Sequence, residues 1–380
     1  MTLDFGLSED QELLQRSARD FLSLECPPSL VRQTAESAEG VAEPLYRKIA
    51  EMGWTGLLVP ESFGGLGLGM LDMAILLAEM GRAALPGHFL LSSVLATAAL
   101  ASAASVRQKM EWLPRFASGD KWATVAWLEA SDRFDSGGIR ARARRSGSRY
   151  LLSGKKLFVP GANAADLLIT PFRSSGRDEA AGVTLFLVDR RAKGVKVTPL
   201  ETIDKTRRSF QVDFRNVEVG VEDILGKTGR AWPILDHVFD LAAVGLAADG
   251  LGGAERVFET AVDYSKTREQ FGRPIGSFQA IQHMAAEMVA EIEPARSLLW
   301  YAGYALDTSP RSSSRAASMA KARLSEVYSR TANRAVQILG GIGFTWEHDL
   351  HFWFKRAKWN ELSFGDASLH RERVARLGQY

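Results

Sequence analysis

The run Tyr264-Ser-Lys-Thr-Arg268-Glu-Gln270-Phe271-Gly272-Arg-Pro274-Ile275-Gly-Ser-Phe278-Gln279-Ala-Ile-Gln-His283 decides how this chain is read, together with Gln337-Ile-Leu-Gly340-Gly341-Ile-Gly343-Phe344-Thr345-Trp346-Glu347-His348 further on. The first run gathers a guanidinium, amides and an aromatic ring around a Gly-Arg-Pro turn that initiates a helix. Arg268 suits a diphosphate, and Phe271 can lie against a flat ring. In the second run the paired Gly340 and Gly341 remove side chains, so that a ligand can approach the backbone, and Gln337 supplies an amide. Either run alone also reads as a helix-turn-helix junction. Both together, in this order, are harder to assign to packing.

Around these runs the chain from Gly229 to its end is helical in pattern, with long stretches from Pro233, Phe278, Ser314 and His370. Pro294 is expected to start or kink a turn. Upstream, from Trp122 to about Leu225, the pattern changes to short apolar runs: Ala123–Trp127, Tyr150–Leu152, Asp166–Ile169, Val183–Val188 and Val195–Val197. Ser-Gly, Gly-Ala-Asn and Asp-Arg-Arg clusters bound them, and the spacing suits a small antiparallel barrel or sandwich. Within this part, Arg140-Ala-Arg-Ala-Arg-Arg145 reads as a solvated strand face. From Ser8 to about Ala117 the pattern is helical again, and Ser8 with Gln11 has the spacing of a capping box. The result is an α+β chain of three parts: an N-terminal helical domain over 1–118, a central β-domain over 119–228 and a C-terminal four-helix-type bundle over 229–380.

Composition narrows the function. Lys and Arg number 47 against 45 Asp and Glu, a balance that gives no reason to expect nucleic acid or an anionic membrane as partner. The single cysteine, Cys26, cannot form an internal disulfide, which fits a reducing, cytoplasmic setting. The apolar stretch Phe89 to Ala104 is too short to span a bilayer. No signal peptide is read at the N-terminus. Gly64-Gly65-Leu-Gly67-Leu-Gly69 lacks the strand, helix and downstream acid of a dinucleotide loop, and is expected to be a flexible connector. His348 and His351, with Glu347 and Asp349, lie in an aromatic-rich segment and are expected to pack rather than hold a metal; no metal site is expected. No Ser-His-Asp or Cys-His arrangement supports hydrolysis.

The two C-terminal runs resemble the flavin-binding signatures of the acyl-CoA dehydrogenase family. The resemblance extends to Val59-Pro-Glu-Ser-Phe-Gly-Gly-Leu-Gly67, to Leu128-Glu129 and to Gly154-Lys-Lys-Leu-Phe158, and so covers nearly the whole chain. It implies FAD extended between the β-domain and the C-terminal bundle. A neighbouring subunit would contribute Arg268, Phe271 and Gln279 from the first run and Gln337, Gly340 and Gly341 from the second. It also implies α,β-dehydrogenation of an acyl-CoA substrate. A carboxylate takes the α-proton, flavin N5 accepts the β-hydride, and electrons leave to an electron-transfer flavoprotein-like acceptor. The implied assembly is a homo- or hetero-oligomer, usually a dimer of dimers.

Departures from the pattern concern the proton. Counting from Lys355-Arg-Ala-Lys358, the family's common base falls at Phe364, and the alternative base falls at Ala242, followed by Ala243. Neither side chain accepts a proton. A Gly-Ser-Asp element reads Arg133-Phe134-Asp135. A Trp-Ile-Thr element reads Phe158-Val159-Pro160, in which Phe158 still offers a ring while Pro160 has neither hydroxyl nor backbone donor. Two acids are candidate replacements. Asp249 shares a helical face with Ala242 but lies about 10 Å along the axis. Asp366 competes with a helix-capping role, and Glu361 is expected to be solvated. Four readings stay open: a partner subunit carries the base, as in two-gene enzymes that oxidise bulky thioesters such as steroid side chains; this chain has a relocated base; the fold serves a flavin monooxygenase; or it is a scaffold without FAD. The small residues Ala242, Ala243, Ala247 and Ala248 read as room for a bulky acyl group or as a close helix-packing face.

Overall fold

A computed structural model describes residues 6–176 and 180–379. The helices that open the chain are α1 (Glu9–Glu25), α2 (Pro28–Glu36), α3 (Glu43–Glu51), α4 (Met70–Arg82), α5 (Thr97–Ala103) and α6 (Val106–Ala117). Strands β1 (Ala123–Val125), β2 (Arg142–Ser146), β3 (Arg149–Pro160), β4 (Leu167–Arg173), β5 (Val183–Asp189), β6 (Val195–Pro199), β7 (Ser209–Gly220) and β8 (Ile224–Leu225) follow. Then come α7 (Trp232–Thr267), the short strands β9 (Glu269–Gln270) and β10 (Arg273–Pro274), and α8 (Gln279–Thr308), α9 (Ser313–Leu339), α10 (Leu350–Leu362) and α11 (Ala367–Gly378). Two compact units cut across this order: Met1–Glu36, Gly69–Leu85 and Ala243–Tyr380 form one, Ser37–Leu68 and Pro86–Ala242 the other.

The second unit is built on an eight-stranded sheet in the order β6-β7-β3-β2-β4-β5-β8, with β1 paired to β4. The β1–β4 and β2–β4 pairings are parallel and the rest antiparallel, so the sheet is mixed and does not close into a barrel. Every residue of β4 is buried, including Thr170 and Arg173, whose polar atoms bond the Ala126 and Ile139 carbonyls. Leu152, Val159, Leu168, Phe172, Phe186 and Phe214 form the centre of its core. In β2 the arginines point out and Ala143 points in, the alternation of a half-buried strand. The glycine run near Gly65 is no loose connector: the N–H groups of Leu66, Gly67 and Leu68 donate to Gly56, Val59 and Leu57 carbonyls at 2.9–3.0 Å. A Cβ on Gly65 would sit 2.1 Å from the Val59 oxygen, so this turn needs a glycine there.

In the first unit, α1 begins with the expected capping box: Gln11 N–H donates to Ser8 Oγ and Ser8 N–H to Gln11 Oε1. Helix α9 packs against α8, α10 and α11, and α4 packs against α1 and α8. Pro294 does not start a helix; it lies inside α8, which runs through it. Proline there removes one helix bond to the Ala290 carbonyl and crowds that carbonyl with its ring, yet the helix continues on both sides. Helices α4 and α7 touch backbone to backbone. A Cβ on Gly252 would lie 1.7 Å from the Ala78 oxygen, and one on Gly81 2.1 Å from the Asp249 oxygen. Ala243, Ala247 and Ala248 are buried on α7 beside this contact, so the small residues there form a packing face.

Candidate functional site

Helix α7 ends where Arg268 N–H donates to the Tyr264 carbonyl at 2.9 Å, and the chain turns straight into a hairpin. Gln270 pairs with Arg273 and Glu269 with Pro274, leaving Phe271 and Gly272 as its two-residue turn, with φ of 55° and 78°. Two successive positive φ values match the twist of a tight hairpin, where Asn-Gly is the easy choice. Phe at the first position is strained there, and its ring is 93% exposed, meeting only Phe278 edge-on at 6.2 Å. The Arg273 guanidinium lies 4.2 Å over Phe278. Arg268 and Gln279 are exposed. The hairpin thus leaves a ring, a guanidinium and an amide exposed.

The second run closes α9. Gly340 ends the helix at φ 66° and ψ −141°, a conformation open essentially to glycine alone. Nothing lies within 4 Å of a Cβ built on Gly340 or Gly341, so these glycines leave a bare, accessible stretch of backbone. Gly343 differs: its Cβ would press on Leu339 at 2.9 Å, a packing requirement. Gln337 is exposed one turn before the pair. No hydrogen bond or ring contact joins the hairpin to the Gln337–Gly341 segment among the described residues.

The turn between α10 and α11 carries Phe364, half-buried at φ 55°, followed by Gly365 at φ 97°. Two buried side chains hold its carbonyls. Lys321 of α9, 1% exposed, donates from Nζ to the Gly365 oxygen at 2.8 Å, the Glu361 oxygen at 3.1 Å and Ser325 Oγ at 2.9 Å. Burial pushes its ammonium down to about 7, against the fields of Glu361 and Asp366. His370 of α11 bonds the Phe364 oxygen through Nε2 at 3.0 Å, and burial pushes that imidazole down to about 4. Lys321 was not singled out from the sequence. Its signal is present nonetheless: it falls on the same helical stripe as Ala317, Leu324 and Tyr328, where a charge is out of place.

Asp249 and Asp366 are both occupied. Asp249, buried on α7, receives the Arg356 fork at 3.0 Å and 2.6 Å and the Asn360 amide at 2.6 Å, while Arg356 also donates to the Leu85 carbonyl at 2.9 Å. With its oxygens bound to a buried guanidinium and an amide, this carboxylate is a structural ion and has no room to take a substrate proton. Asp366 caps α11, accepting the Leu369 N–H at 2.9 Å. Glu361 accepts from Ser329 and Lys358, and Ala242 and Ala243 are fully buried methyl groups. His351 packs between Trp346 and Phe352 at 4.4 Å and 4.2 Å, while His348 Nδ1 accepts the Leu350 N–H.

In the other unit, Phe158 sits on β3 at φ 49°, inside a register irregularity between Lys156 and Val159, with 55% of its surface exposed. The bulge re-aims this one side chain out of the strand's alternation. Glu129 fixes the adjoining segment: it accepts the Arg140 and Ala141 N–H groups and Lys156 Nζ at 2.6 Å, and Lys156 also reaches the Pro171 oxygen. Arg133 pairs with Asp135 at 2.6 Å and holds that carboxyl below its ordinary range, while Phe134 packs on Trp127.

Three of the residues with a positive φ are therefore Phe158, Phe271 and Phe364, and each is a position that the flavin signature or the proton-transfer position singles out. No helix among the described residues is long and apolar enough to cross a membrane. The family descriptions acyl-CoA dehydrogenase N-terminal, middle and C-terminal domain match residues 8–120, 124–217 and 229–378. The chain is 30% identical over 376 residues to an acyl-CoA dehydrogenase of Bacillus subtilis, covering 96% of this chain and 97% of that one. Butyryl-CoA dehydrogenase of Megasphaera elsdenii superposes with a TM-score of 0.92 at 25% identity, covering 100% of both chains. A chain of the ChsE4-ChsE5 complex of Mycobacterium tuberculosis gives 0.89 at 28%, covering 98% of each. With its sequence matched along nearly its full length in all three parts, this chain belongs to the acyl-CoA dehydrogenase family.

Proposed function

We propose that this chain is a subunit of a FAD-dependent acyl-CoA dehydrogenase in which the proton-accepting carboxylate comes from a partner chain. FAD supplies the hydride acceptor when bound. In this reading Arg268, Phe271, Gln279, Gln337, Gly340 and Gly341 hold the flavin nucleotide of a neighbouring subunit, and Phe158 lies against the flavin of its own. The exposed guanidinium, amides and ring, and the bare Gly340-Gly341 backbone, fit a long anionic ligand with a flat head. The observation that carries the partner-base reading is the full engagement of Asp249, beside the helix-capping role of Asp366, with a phenyl ring and a methyl group at the two usual base positions. The thioester substrate is read as a lipid or steroid acyl-CoA, with an electron-transfer flavoprotein-like acceptor, in a dimer of dimers working in the cytoplasm. The three sequence segments 1–118, 119–228 and 229–380 serve as its helical, β and bundle domains.

The test is the visible spectrum of the chain alone and of the chain co-expressed with a homologue that keeps Glu at the position of Phe364, each mixed anaerobically with a panel of acyl-CoAs. Bleaching of the flavin only in the mixture is expected. Full bleaching by the chain alone overturns the partner-base reading, and a mixture that never takes up FAD overturns the flavoprotein reading.

A further inference from the structure

We propose that Lys321 is a positioning residue that fixes the side chain at position 364 by clamping both ends of the Ser363–Asp366 turn. The inference rests on the functional reading above for its importance, but its geometry stands alone. The Nζ atom reaches the last turn of α10 through the Glu361 oxygen and the connecting turn, two residues before α11, through the Gly365 oxygen, so one atom ties the end of α10 to the approach to α11. No carboxylate lies within ion-pair distance of it among the described residues. It is therefore placed for its three donors rather than for charge pairing, and it meets three acceptors. The turn needs such a hold, because Phe364 and Gly365 both sit at positive φ and a free chain would leave that conformation.

The clamp also tolerates the loss of its proton. A neutral amine keeps two N–H groups for the two carbonyls and offers its lone pair to the Ser325 hydroxyl, which turns from acceptor to donor. The charged groups around it are Glu361 from α10, Asp366 from the turn, and His370 and Arg373 from α11. Helix α8 directs Glu287 and Glu291 at Arg334 and Arg330 instead, and Arg323 of α9 itself faces Glu291. With burial lowering the ammonium to about 7, the three contacts can be kept in either protonation state near neutrality.

A trifluoromethyl-phenylalanine placed at position 364 of the full chain reports on this by fluorine NMR. One resonance that shifts with a midpoint near 7 is expected. In Lys321→Met the resonance moves and no longer titrates. In Lys321→Arg, which keeps its charge, it is flat in pH. Glu361→Gln removes a field that favours the ammonium and so lowers the midpoint. An unchanged resonance position in Lys321→Met overturns the clamp; if the Met variant does not fold, Lys321→Gln, which cannot reach both carbonyls, must move the resonance or the clamp is overturned. Flavin absorbance is read on the same samples. A protein that never holds FAD while Lys321→Met moves the resonance overturns the functional reading and leaves the clamp, whereas one that holds FAD with a resonance unmoved in Lys321→Met does the reverse.

Discussion

Phe271 and Phe364 share a positive φ of 55°, yet one sits on an exposed hairpin and the other in a turn gripped by buried side chains. The Phe271 hairpin is short, exposed and touched only by Phe278, so its shape comes from its own two-residue turn and ladder. The Phe364 turn is fixed by Lys321 and His370, side chains that no local pattern brings there. A strained residue persists when its surroundings over-determine it. At Phe364 those surroundings are buried and internal. At Phe271 they are only the short β9–β10 ladder and the edge of Phe278, so the ring is left open to whatever approaches it.

The sharpest test of the internal region is the ion pair beside it. Asp249→Ala strands Arg356 in the core and should lower stability by about 3–5 kcal/mol, read from urea or thermal unfolding. A folded Asp249→Ala protein of near-parental stability would remove the structural role assigned to that carboxylate. Acid comes next. Burial holds His88 and His370 at about 4, below the 6.5 of a free imidazole, so the unfolded chain binds protons first as pH falls. Stability is complete above about 6.5 and should drop by about 1 kcal/mol per pH unit for each histidine down to about 4. His88→Phe and His370→Gln should each flatten that slope, in melting temperatures taken across the window; an unchanged slope in both breaks the assignment.

Smaller effects belong to the exposed region. Gly340→Ala forces a Cβ into a glycine-only conformation and should cost about 1–3 kcal/mol, with loss of bound flavin measured by absorbance per protomer. Phe271→Ala removes a ring that is almost entirely exposed and should change stability by less than about 0.5 kcal/mol. If the hairpin is completed by another subunit, the same variant weakens flavin retention and assembly, measured by absorbance and sedimentation. Unchanged flavin content and assembly would erase the contrast between the two phenylalanines.

Local physics made much of this legible in advance. The Ser8–Gln11 box, the buried run of β4, the outward arginines of β2 and the glycines after α9 are each set by neighbours within a few residues, and period and propensity report such neighbours directly. Pro294 and the Gly65 turn misled for the matching reason: a long helix absorbs one missing donor, and a glycine-rich stretch looks loose until distant carbonyls are seen to meet its N–H groups. The β pattern suited a barrel or sandwich, but the parallel β1–β4 pairing is a long-range choice that no run of residues announces.

By itself, then, the sequence determined the family, the helical–β–helical order, the outward chemistry of Arg268, Phe271 and Gln337, and the absence of a proton acceptor at Phe364 and Ala242, since all of these are statements about which atoms the chain contains and their spacing. Only the tertiary structure decided that Asp249 belongs to Arg356, that Asp366 caps a helix, and that Lys321 rather than a carboxylate governs the turn at Phe364. Whether a charge is free or engaged depends on groups brought within hydrogen-bond reach from far along the chain, and that proximity is a property of the fold.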